Sequence, residues 1–337
     1  MSRITVLGSG AWGTAIALSL SARGGHEVTL WSHRAEQTET LARRRENVRF
    51  LPGRPFPQEL IINGDDAAAV AKAEILVCVV PSEFLRATMA RLTPYMHSGQ
   101  ILVSATKGIE DHTYLRMTEV TEQCLTDAGL TLPVGALSGP SFAQEVAAGM
   151  PTAVTIAFSE SAAAATIQRE FSSGTLRLYT NDDVIGVEMG GALKNVIAIA
   201  AGVLTGLGLG SNSAAGLITR GIAEITRLAV ASGGRRETLQ GLSGIGDLVL
   251  TCTGSLSRNR TVGIELGKGR KLPEILAGLD GKVAEGVRTT RAALGLARKL
   301  GVEMPITEQM ELILDEGKSP STALRELMQR PTRDEED

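Results

Sequence analysis

The stretch RITVLGSGAWGTAIALSLSARGG, residues 3–25, decides the fold. It opens on RITVL, an apolar run of the kind that makes a buried strand. A turn, GSGAWG, follows over Gly8–Gly13 with the spacing G-x-G-x-x-G, and AWGTAIALSLSARG then reads as a helix stopped at Gly24 and Gly25. The spacing alone is weak; its place between a strand and a helix gives it chemical meaning. There, Gly8 permits a tight turn, Gly10 lets the backbone approach a pyrophosphate, and Gly13 lets the helix pack closely on the strand. The helix N-terminus adds N–H donors and partial positive charge. The stretch therefore reads as a dinucleotide phosphate site.

Outward from it, strand-like and helix-like segments alternate. EVTLW, ELIIN, EILVCVVP, QILVSA, VGALSG, TAVTIAF and TLRLYT read as strands, with helices between most of them, including one around Tyr114–Ala128. Several strands are apolar throughout, which predicts a mostly parallel sheet covered on both faces. After Asn181 the strand pattern ends. Helices follow, the first capped by Asp182, another beginning after Ser257, and the last capped by Ser319 with Pro320 at its first position. The expected organisation is α/β: a Rossmann-like sheet domain over residues 1–181, an all-α domain over 182–330, and an acidic tail over 331–337. The two halves join without a linker rich in Pro or Ser, which predicts a ligand cleft between them.

At 337 residues, 43% hydrophobic and 21% charged, the chain is long and apolar enough for a sizeable core. A net charge of -3 without a basic stripe argues against nucleic acid as a partner. Cys78, Cys124 and Cys252 form no CxxC pair, and the four histidines are scattered. That excludes a disulfide framework and a metal-ligand pattern, and fits the reducing cytoplasm. No signal peptide or membrane span is expected.

Several residues carry chemistry. Where an NAD-specific site places an acid at the end of the second strand, this chain has Ser32, His33 and Arg34, with no acid until Glu36. A guanidinium can pair with a 2′-phosphate, so the sequence predicts acceptance of NADPH as well as NADH. Past later strand tips lie Pro81, then Lys107 in SATKG, then Gly139 and Ser141 in LSGPSFAQEV, where Ser141 is placed to open a helix. Lys194 is the one charge in GGALKNVIAIAAGVLTGLG, residues 190–208. A buried ammonium is costly unless paired or neutralised. Held in a closed cleft, with a cationic neighbour such as Lys107, it suits proton transfer. Asp247 falls at a helix start. Ser257, Arg258 and Asn259 gather a cap, a guanidinium fork and an amide at one helix N-terminus, an arrangement suited to an anion.

Taken together, GSGAWGTA, WSHR, ENVRFLPGRPFP, SATKGIE, LSGPSFAQEV, GGALKNVIAIAAG, GIGDLVLTC and SRNRTVG resemble, in order and spacing, the bacterial NAD(P)-dependent sn-glycerol-3-phosphate dehydrogenases over nearly the whole chain. The resemblance implies interconversion of dihydroxyacetone phosphate and sn-glycerol 3-phosphate, supply of phospholipid synthesis in the cytoplasm, and a homodimer. It implies that Lys194 is the proton acceptor or donor, and that Lys107 touches substrate and cofactor. Gly139, Ser141, Asp247, Ser257, Arg258 and Asn259 would bind substrate. Gly8, Gly10, Ala11, Trp12, Gly13, His33, Arg34, Ala143, Val283 and Glu285 would bind cofactor, with Arg258 near it. Ala11 replaces a serine common at that position. Two other readings of the residues remain: a two-domain dehydrogenase acting on a hydroxy acid, and a nicotinamide-binding sensor without turnover, against which the two lysines argue.

Overall fold

The computed structural model describes residues 1–278, 284–332 and 334. An eight-stranded sheet occupies the first half: β1 (Ser2–Leu7), β2 (His26–Trp31), β3 (Ile61–Asn63), β4 (Ile75–Cys78), β5 (Ile101–Ser104), β6 (Val134–Ser138), β7 (Thr152–Ala157) and β8 (Leu176–Asn181). The order is β3-β2-β1-β4-β5-β6-β7-β8. Every neighbouring pair is parallel except β6 and β7. The chain leaves β1 towards β2 on one side and later returns to β4 on the other, so the strand order reverses beside β1. In open α/β sheets a ligand crevice forms at such a point, outside the carboxyl ends of the strands. Apolar residues cover both faces: Val6, Ile16, Val28 and Ile156 lie in one core, and Leu7, Trp31, Leu76 and Leu102 in another.

No strand follows Asn181 among the described residues. A third core surrounds the helix Val184–Gly206, which is buried on every residue from Gly186 to Leu204. A helix so largely apolar on every side belongs at the centre of a fold or in a membrane. It is the one helix among the described residues long and apolar enough to cross a membrane, and 89% of its most apolar window is buried inside the protein. Glycines let a second helix cross it closely. A Cβ on Gly202 would sit 2.8 Å from the Ile264 nitrogen, and one on Gly206 2.8 Å from the Gly267 Cα. This seam fixes the helix Arg258–Gly267, and the Ser257 cap that starts it, against the helix bearing Lys194.

Four local expectations are corrected. The cap of Val184–Gly206 is Asp183, not Asp182: Asp183 Oδ1 accepts the Gly186 N–H at 2.8 Å and Oδ2 accepts the Arg235 N–H at 2.8 Å. Asp182 instead pairs with the Arg235 guanidinium at the surface. The helix expected from Tyr114 starts at Met117, because His112 and Tyr114 have left-handed backbone (φ 69° and 61°) that no α-helix continues. Ser141 does not open a helix: Phe142 holds the cap position, and Ser141 Oγ donates to the Gly139 carbonyl at 3.0 Å. Ser319 occupies its cap position, but its hydroxyl pairs with Ser321 rather than with the helix backbone.

Candidate active site

The glycine turn is shaped as the spacing requires. Gly8 has φ 123°, and a Cβ there would lie 3.0 Å from the Val79 carbonyl oxygen. A side chain on Gly13 would drive into the Gly8 carbonyl, whereas around Gly10 nothing stands within 4 Å of where a Cβ would be. The helix Ala11–Arg23 has no side-chain cap and no acid in its first turn. Its leading N–H groups face an open backbone cradle, which fits an anion. Trp12 Nε1 is a buried donor without a protein partner, which fits a ligand acceptor at this turn. The turn is braced from behind by two residues the sequence reading did not single out. Asn47 donates to the Ser9 carbonyl at 2.9 Å and to Thr14 Oγ1 at 2.8 Å, while Gln37 donates to Ser9 Oγ at 2.8 Å.

At the end of β2, Ser32 turns inward and accepts from Ser9 Oγ at 2.9 Å. His33 and Arg34 are exposed beyond it. They lie at the carboxyl end of β2. Ala11 offers no hydroxyl in the first turn of the adjoining helix.

Across the crevice, Lys107 and Lys194 converge on one carboxylate. Lys107 Nζ donates to Asp247 Oδ2 at 2.8 Å, Lys194 Nζ donates to Asp247 Oδ1, and Lys194 also reaches Thr251 Oγ1 at 2.8 Å. Lys107 comes from beyond β5, Lys194 from the central helix, and Asp247 and Thr251 from successive turns of the helix Asp247–Thr253. The cluster thus spans both halves of the chain. Thr251 was missed, although its i, i+4 spacing from Asp247 puts the two on one helix face. Gly191, one turn before Lys194, is what lets the sheet approach: a Cβ there would invade Ser138 Oγ and come within 3.9 Å of Lys107 Cδ. Gly190 performs a different task, admitting the Ser243 carbonyl at 2.5 Å from its own Cβ position.

Burial dominates the Lys194 ammonium and lowers its pKa to about 8; Asp247 opposes that fall and the Lys107 charge adds to it. Burial alone would raise Asp247, but the two ammoniums outweigh it and hold the carboxyl below its usual value. One buried carboxylate facing two ammoniums leaves a net positive charge in the cleft.

The helix start at Ser257 packs against the helix that bears Lys194. Ser257 Oγ accepts the Arg260 N–H at 3.2 Å. Asn259 donates to Asn195 Oδ1 at 2.9 Å and accepts the Gly286 N–H at 3.0 Å. Asn195 directly follows Lys194, so this amide pair ties the lysine's helix to the start of Arg258–Gly267. Arg258 is exposed at the helix N-terminus. Glu285 is half-buried; burial raises its pKa, opposed by the charges of Arg258, Lys107 and Lys194, which puts it at the same cleft. Gly139 and Ser141 sit at the tip of β6, where Pro140 stands 3.8 Å from a Cβ position on Gly246, next to Asp247. Ala143 begins the helix Ala143–Ala147, which packs on the helix of the glycine turn. Val283 lies outside the described residues. No group of three or more metal-ligating side chains occurs among the described residues, and all three cysteines are buried and free.

Comparison with known proteins bears directly on this arrangement. Residues 3–164 match the family model for the NAD-dependent glycerol-3-phosphate dehydrogenase N-terminus, and residues 183–325 that for its C-terminus. The chain is 62% identical to the glycerol-3-phosphate dehydrogenase [NAD(P)+] of Acidobacterium capsulatum, over 99% of this chain and 100% of that one. It is 57% identical to that of Koribacter versatilis over 99% of each. A crystal structure of glycerol-3-phosphate dehydrogenase from Coxiella burnetii superposes with TM-score 0.92 at 40% identity, covering 98% of this chain and 99% of that one. D-mandelate dehydrogenase, at TM-score 0.60 and 14% identity, shares the fold alone.

Proposed function

The chain belongs to the NAD-dependent glycerol-3-phosphate dehydrogenase family, and from that premise we propose how its cleft divides the reaction. The protein is an NAD(P)-dependent oxidoreductase interconverting dihydroxyacetone phosphate and sn-glycerol 3-phosphate. Its service to phospholipid synthesis, its cytoplasmic location and a homodimeric state are part of the proposal.

Lys194 is the proton donor in ketone reduction and the acceptor in alcohol oxidation. As C2 is reduced, charge grows on its oxygen, and an ammonium already desolvated and aimed into the cleft stabilises it at little reorganisation cost. Asp247 is the positioning residue: it holds both lysines, so the two ammoniums can share one small volume. Lys107 adds charge beside the substrate and the nicotinamide. Ser257, Arg258 and Asn259 hold the phosphate at the start of Arg258–Gly267, and that remote contact orients C2. The glycine turn, with Gly8, Gly10, Ala11, Trp12 and Gly13, holds the pyrophosphate, and His33 and Arg34 take the ribose end. Gly139 and Ser141 line the substrate, while Ala143, Val283 and Glu285 border the cofactor. The dinucleotide, when bound, supplies or takes the hydride at C2.

The observation that carries this reading is the buried pairing of Lys107 and Lys194 on Asp247. The test is loss of reduced-nicotinamide absorbance with dihydroxyacetone phosphate, run with NADH and NADPH. Turnover with the keto phosphate is expected; a protein that binds either dinucleotide yet oxidises neither would be a sensor. Preference for an unphosphorylated keto acid would place it with the hydroxy-acid enzymes.

A further inference from the structure

A second charge arrangement, partly open to solvent, stands behind the tip of β2. Asp66 opens the short helix after β3, and Trp31 Nε1 donates to its Oδ1 at 3.1 Å. Arg91, in the last turn of Ser82–Leu92, grips both Asp66 oxygens, Nε on Oδ2 at 2.5 Å and Nη2 on Oδ1 at 2.8 Å. Its guanidinium carbon lies 5.7 Å from the centre of the Trp31 ring. Its remaining nitrogen, Nη1, stands 2.7 Å from His33 Nδ1. A guanidinium can only donate, so Nδ1 must accept. In that contact a neutral His33 carries its ring proton on Nε2, and the exposed ring offers an N–H donor.

An acid beside the second strand tip is what ordinarily disfavours a 2′-phosphate. This chain has one in Asp66, reached through the neighbouring strand rather than along β2, and Arg91 neutralises it. We propose that Arg91 is a specificity-determining positioning residue: by covering Asp66 and fixing the His33 ring, it lets the β2 tip accept the 2′-phosphate of NADPH. The inference rests on the reading that His33 and Arg34 take the ribose end of the dinucleotide.

The test compares kcat/KM for NADPH and NADH, with dihydroxyacetone phosphate saturating. Arg91→Leu should lower the NADPH-to-NADH ratio by ~3- to 10-fold, the scale of one uncovered charge partly screened by solvent. Asp66→Asn in that background should restore the ratio, because the uncovered charge is then gone. Asp66→Asn alone should raise it, which keeps the idea testable if Arg91→Leu folds poorly. A merely structural Arg91 would lower both cofactors alike and would not be rescued. An unchanged ratio in these variants, with a shifted ratio in Arg34→Ala, overturns the role of Arg91 and spares the β2 reading. An unchanged ratio in all of them overturns both.

Discussion

Two buried carboxylates bridge the halves of this molecule, and they do opposite things. Asp247 faces two ammoniums, Lys107 and Lys194. Glu188, on the same central helix as Lys194, faces one cation, Arg116, at 2.6 Å. It also accepts from the Thr118 backbone at 2.9 Å and from the Thr118 hydroxyl at 2.5 Å. Burial raises the pKa of Glu188 despite these partners, whereas Asp247 is held low. The Glu188 group has no positive charge to spare: Arg116 is shared with the more exposed Glu119 at 3.0 Å, and an N-terminal helix N–H is satisfied. It fastens the helix Met117–Asp127 to the central helix. The Asp247 group carries one positive charge more than it needs. A surplus charge in a closed cleft is costly unless a ligand of opposite sign arrives. The same ingredients thus make a clamp in one place and, on the function proposed above, a binding site in the other, and stoichiometry decides which.

Lys194→Ala should break the contrast most sharply. Turnover should fall by ~10²–10⁴-fold, the usual contribution of a general acid–base, while dinucleotide affinity stays near wild type. Steady-state rates with a cofactor titration check both halves; near-normal turnover would reject the assignment. Arg258→Ala comes next. It should raise KM for dihydroxyacetone phosphate by ~10-fold or more, the scale of a charged hydrogen bond to phosphate, and leave cofactor binding almost unchanged. Unaltered binding of the keto phosphate would remove the anion site from the account. Glu188→Gln is the counterpart on the clamp. It should lower stability by ~1–3 kcal/mol, read as a lower denaturation midpoint, with the pH profile of turnover unmoved. A shifted profile would mean that the clamp and the catalytic cluster are electrically one.

Much of this was legible in the sequence, for identifiable reasons. The glycine turn declares itself because its three glycines act within six residues, and Lys194 because a lone charge in the small-residue run 190–208 is conspicuous. Asp247 and Ser257 sit at helix starts, where local chemistry favours them. What escaped notice depends on long-range contact. Asn47 braces Ser9 across 38 positions, Arg91 reaches His33 across 58, and Glu188 meets Arg116 across 72. No local period encodes such pairs. Asp182 was mistaken for Asp183 because adjacent carboxylates look alike until a second partner, the Arg235 N–H, chooses between them.

The depressed Lys194 pKa fixes the sign of the pH response. Against an ordinary lysine near 10.5, a folded value about 8 means that burying the ammonium costs stability at neutral pH. That cost is relieved as pH rises through the window between those two values. In ketone reduction the proton must be present, so the rate should fall as pH passes about 8; in alcohol oxidation it must be absent, so the rate should rise there. The decisive measurement is kcat/KM for dihydroxyacetone phosphate against pH, in wild type and in Lys194→Ala. A falling limb centred near 8 that vanishes in the variant is the expected result. The same limb persisting in the residual activity of the variant would show that some other group gives up the proton.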